Sequence, residues 1–174
     1  MGVFKIAVKN LEWIDETKDN PNDLCLHGDA AVEIGEEIFE YSATVSSTAL
    51  YLLKTLTQDH RINEENQMLP CCGHFMIPND DLTNVDICGC PNGIDWTVLH
   101  DKDIIKLITE SGRETVISLE EYQKEVFQFV DKIEDFYKKC SPKNLSNEYD
   151  RDCYYAFWNE WHRRRGKNDE SEIT

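Results

Sequence analysis

Between Leu69 and His100 lie Cys71, Cys72, His74, Cys88, Cys90 and His100, which are four of the chain's seven cysteines and two of its five histidines. Thiolate and imidazole are the donors that zinc takes in a closed tetrahedral site. The turn-forming run Pro78-Asn79-Asp80-Asp81 to Asn84 separates two apolar runs, Phe75 to Ile77 and Val85 to Ile87, so a β-hairpin is predicted here. Pairing symmetric about Asp81 would set Cys72 opposite Cys90, His74 opposite Cys88 and Gly73 opposite Gly89. Side chains alternate along a strand, so Cys72, His74, Cys88 and Cys90 would then share one face and form the candidate metal set.

Three chemistries suit that face. Zinc is the first, although four ligands on a flat pleat do not converge easily on a tetrahedron, and neither Cys-Cys-x-His nor Cys-x-Cys is a usual zinc spacing. A Cys72–Cys90 cross-strand disulfide is the second. An odd cysteine count and the lack of an export signal point instead to a reducing compartment, where such a bond does not persist. The third is packing, in which small sulfur side chains fill a core and His74 is hydrogen bonded nearby. The unfamiliar spacing favours packing, and no cofactor other than a candidate zinc is implied. An enzyme reading would take Cys71 or Cys72 as nucleophile, His74 or His100 as base and Asp95 or Asp101 to orient it, since such groups need only be neighbours in space. There is no Gly-rich phosphate loop, H-E-x-x-H, G-x-S-x-G or EF-hand loop.

Thirty-four acidic residues against eighteen basic ones leave a net charge of −16. A field of that sign repels nucleic acid and anionic membranes and attracts cations, so the partner expected is a basic protein. An inhibitor or immunity-type partner of a basic toxin or nuclease has this composition. Asp95 and Asp101 are the candidate steering acids, and Trp96, Trp158 and Trp161 the candidate aromatic anchors. The amino terminus lacks the apolar core of a signal peptide, and no run reaches membrane-spanning length, so a cytoplasmic protein is expected.

The elements that would position these residues follow from periodicity. Val3 to Val8 alternates as a strand, and Asp15 to Asp23 is a polar loop. Leu24 to Ile34 and Ile38 to Val45 flank Gly35-Glu36-Glu37 as a hairpin, with Cys25 and His27 sharing a strand face as packing residues. Ser46 or Ser47 would cap a central, buried helix. Residues 85 to 117 read as an antiparallel meander. Ser118 and Glu121 form a capping box for a helix running to about Lys139. A last helix is expected from about Glu148 to Arg165, stopped by Gly166. The expectation is an α+β fold: a single domain over residues 1–145, a C-terminal helix at 146–166 docked on it, and a tail at 167–174.

Overall fold

Phe4, Ile6 and Val8 alternate with Lys5, Ala7 and Lys9, and β1 (Phe4–Glu12) buries the first set and exposes the second. β1 pairs antiparallel with β2 (His27–Ile34), which pairs with β3 (Glu37–Ala43), in the order β1-β2-β3. Ala30, Val32 and Ile34 of β2 join the buried face. The β2–β3 turn needs Gly35, whose φ is +63° and whose added Cβ would stand 2.5 Å from Thr115 Oγ1. The computed structural model describes residues 3–73 and 75–166 of this chain. The expected tail at 167–174 lies outside the described residues.

Helix α1 (Val45–Lys54) is buried over Val45–Leu53, because its leucines fall on most sides and leave no polar stripe for solvent. Its start differs from the expectation. Thr44 is the N-cap and makes no side-chain cap bond, whereas Ser46 and Ser47 lie inside the helix. Their hydroxyls serve tertiary partners: Ser46 Oγ accepts from the Leu26 N–H at 3.1 Å, and Ser47 Oγ donates to the Gly73 carbonyl at 2.8 Å. In the interior these bonds satisfy groups that would otherwise lack partners, and that need overrides the local capping preference.

Helix α2 (Leu119–Lys138) begins at Ser118, whose Oγ accepts from the Glu121 N–H at 3.2 Å and donates to its carboxylate at 2.8 Å. Its buried stripe, Tyr122, Val126, Phe129, Val130, Ile133 and Tyr137, packs on α1 and β1. Helix α3 (Glu148–Arg165) is capped by Asn147, which accepts from the Asp150 N–H at 3.2 Å, and ends at Gly166 in the left-handed region, φ 75°. Cys153, Ala156, Phe157, Trp158 and Trp161 of α3 are buried in the common core. Fully burying one large apolar side chain stabilises by about 1.5–3 kcal/mol, so these residues hold α3 firmly in place.

The remaining strands are β4 (Leu69–Pro70), β5 (Phe75–Pro78), β6 (Val85–Cys88), β7 (Gly93–Ile94), β8 (Trp96–Asp101), β9 (Ile104–Thr109) and β10 (Glu114–Ser118). They form a three-stranded meander β8-β9-β10 and two short ladders, β4–β7 and β5–β6. The meander therefore begins at Trp96 rather than at residue 85, because β6 pairs with β5 and β7 with β4. Hairpin register is also corrected by one residue. Phe75 pairs with Cys88, Met76 with Ile87 and Ile77 with Asp86, so the centre lies between Asp81 and Leu82. Asn79 causes the shift: its N–H donates to the Asn84 carbonyl at 3.0 Å, and its side-chain oxygen accepts from the Thr83 and Asn84 N–H groups, each at 2.9 Å. A one-residue slip exchanges faces. Met76 and Ile87 point inward, while Phe75, Ile77 and Asp86 are exposed. Among the described residues no helix is long and apolar enough to cross a membrane.

Candidate functional site

A groove of about 450 Å³ opens between the last turn of α1, the segment after it and the β5–β6 hairpin. Its walls include Tyr51, Lys54, Asp59, His60, Glu65 and Asp86. The segment 59–67 has no regular ladder, so its shape is set by one interior carboxylate. Buried Asp95 accepts from His60 Nε2 at 2.8 Å and from the N–H groups of Asn63, Met68 and Trp96 at 3.0, 3.1 and 3.0 Å. His60 also exchanges both backbone hydrogen bonds with Val98, at 2.8 and 2.9 Å. Four donors enclose this buried carboxylate and hold the loop against β8.

The groove's own carboxylates are differently placed. Asp59 accepts from the His100 Nδ1–H and backbone N–H, each at 2.9 Å, and the ring hydrogen bond is the main cause that holds its carboxyl below the usual range. Glu65 and Asp86 are exposed and make no ion pair among the described residues. Lys54 is the one ammonium on the wall among the described residues, and it is already engaged. It donates to the Val85 carbonyl at 2.7 Å and lies 3.6 Å from buried Glu160, which also accepts from the Val85 N–H and Arg164 Nε, each at 2.8 Å. The negative charge of the wall is thus available to an incoming cation.

The cysteines gather beside this groove in a set different from the expected one. The Sγ atoms of Cys71, Cys72 and Cys90 all lie within 4.8 Å of one another, with Cys71 and Cys72 at 3.7 Å and Cys71 and Cys90 in disulfide contact. Cys72 and Cys90 do meet. Cys88 does not join them, because the shifted register pairs it with Phe75 and turns it toward the groove. His74 lies outside the described residues. Cys25 precedes β2 and donates to the Gly73 carbonyl, and burial pushes its thiol up to about 12. Burial also raises the thiols of Cys140 and Cys153.

The expected partner contacts need correction. Trp96 and Trp161 are 0% exposed and Trp158 is 5% exposed, so their rings belong to the core and offer no surface to a partner. Asp95 is an internal staple, leaving Asp101, exposed at the end of β8, as the accessible member of that set. With His100 as base the nucleophile arrangement is not assembled: His100 is held by Asp59, and among the described residues no cysteine is hydrogen bonded to an imidazole. The alternative base, His74, lies outside the described residues. Sequence reasoning passed over Asp59, Glu65 and Asp86. Asp59 and Glu65 lie in a polar connection and Asp86 on the exposed face of β6, a pattern that looks the same whether or not a groove forms between them. No family model, curated protein or solved structure matches the chain.

Proposed function

We propose that the protein is an acidic binding module for a basic protein, and that the groove beneath α1 receives a lysine or arginine side chain of that partner. The supporting observation is the wall itself: Asp59, Glu65 and Asp86 face the groove, and its ammonium, Lys54, is committed to Val85 and Glu160. Exposed Ile77 borders the carboxylates and suits the methylene stem of such a side chain. The net charge of −16 steers a cationic partner toward the surface, and the groove then orients it. Inhibition of a basic enzyme or toxin is one use of such a module.

The test is capture of basic proteins from native extract on the immobilised protein, run beside the Asp59→Asn/Glu65→Gln/Asp86→Asn variant. Retention by the parent that falls with added salt, together with at least about tenfold weaker retention by the variant, is the expected result. Equal capture by both proteins, or none at low salt, would sink the groove as the binding site.

A further inference from the structure

We propose that Cys71, Cys72 and Cys90 form a zinc site, with three thiolates from two backbone arms closing on one ion. The arms are built for approach. Cys71 and Cys72 follow β4, Cys90 precedes β7, and these strands pair Leu69 with Ile94 and Pro70 with Gly93. The Cys71 N–H continues the ladder to the Asn92 carbonyl at 3.1 Å. On the other side, the Gly89 N–H donates to the Glu65 carbonyl at 3.0 Å, and a Cβ on Gly89 would stand 2.8 Å from the Cys72 carbonyl oxygen. Only a glycine lets the two arms come so close.

The resulting spacing suits a metal. Thiolates at about 2.3 Å from a tetrahedral zinc stand about 3.8 Å apart. Cys71 and Cys72 Sγ are 3.7 Å apart, and Cys90, in disulfide contact with Cys71 and inside the same 4.8 Å set, moves to that spacing once the contact is reduced. The Cα atoms of Cys71 and Cys90 are 7.0 Å apart, just beyond the usual reach of a disulfide, so a shared ion spans the arms more readily than a bond does. All three cysteines are half-buried, which shields the thiolates yet leaves an entry path. Two electrons and two protons from a small-molecule dithiol first open the Cys71–Cys90 contact to two thiols, and zinc binding then releases three thiol protons to solvent with no further electron transfer. The fourth coordination position is left to water or another donor. The site stands apart from the groove reading, since none of its ligands is a groove carboxylate.

The test uses full-length protein purified under reducing conditions without chelator. Elemental mass spectrometry should find about one zinc per chain, and stripped protein should release about three protons per zinc rebound. Cys72→Ser or Cys90→Ser should weaken zinc affinity at least about 100-fold, as losing a ligand should cost no less than losing an outer-shell partner, while Cys88→Ser leaves it unchanged. Should the serine variants fail to fold, alkylation of the parent answers the same question: zinc should protect Cys71, Cys72 and Cys90 and leave Cys88 reactive. Absence of zinc from reduced protein, or equal loss in Cys88→Ser, would overturn the assignment.

Discussion

Two groups of carboxylates in this acidic chain behave in opposite ways. Asp95, Glu134 and Glu160 are buried, and each is enclosed by donors: Asp95 by four, Glu160 by Lys54, Arg164 and the Val85 N–H, and Glu134 by Lys138, His162 and the Trp161 indole. Asp59, Glu65 and Asp86 sit on a groove wall, and the latter two make no ion pair among the described residues. Charge alone does not tell these groups apart. Glu160 holds α1, α3 and the hairpin together, Glu134 ties α2 to α3 and Asp95 holds the loop before β4, whereas the groove acids face solvent.

The sharpest way to break this contrast is Glu160→Ala. It leaves Lys54, Arg164 and the Val85 N–H without their shared acceptor, and should cost about 3–5 kcal/mol in the urea unfolding free energy. A change under about 1 kcal/mol would show that the interior carboxylate is not holding the elements together. Neutralising the groove acids together should do the reverse. Unfolding free energy should stay within about 1 kcal/mol of the parent, because exposed carboxylates contribute little, while salt-sensitive binding falls.

The smallest expected effect lies with a half-buried cation. Lys143 Nζ sits 3.1 Å from the centre of the Trp13 ring and donates to the Asn20 carbonyl at 2.8 Å. Burial lowers its pKa from 10.5 to about 8, while nearby Asp23 and Asp19 act in the opposite direction. Between those values the unfolded chain keeps a proton that the folded protein has lost, so stability from this group rises with pH across the window from about 8 to 10.5. Unfolding midpoints measured through that window should show the rise in the parent and a flatter profile in Lys143→Met. Identical profiles would show that Lys143 keeps its ordinary pKa.

Legibility in the sequence followed the range of the contacts. The approximate ends of helix α3 were readable, because Asp150 near its start, the basic residues 162–165 at its end and Gly166 after it act locally, although the Asn147 cap was not anticipated. The Ser118–Glu121 box set the start of α2 by the same local chemistry. The register of β5–β6 was not readable, since Asn79 can close the loop in more than one way until Met76 and Ile87 find the core. Nor was the β4–β7 ladder, which joins two residues to two others more than twenty positions away. That ladder, with the adjoining arm, replaced Cys88 by Cys71 in the cysteine set.

By itself, the sequence determined the α+β class, the presence and order of the three helices, the β2–β3 hairpin and the acidic charge, all of which follow from local spacing and composition. Only the tertiary structure decided which tryptophans are core, which carboxylates are staples and which cysteines meet. Each of those outcomes depends on what a distant segment places beside the residue, and burial converts that neighbour into the difference between a held charge and an available one.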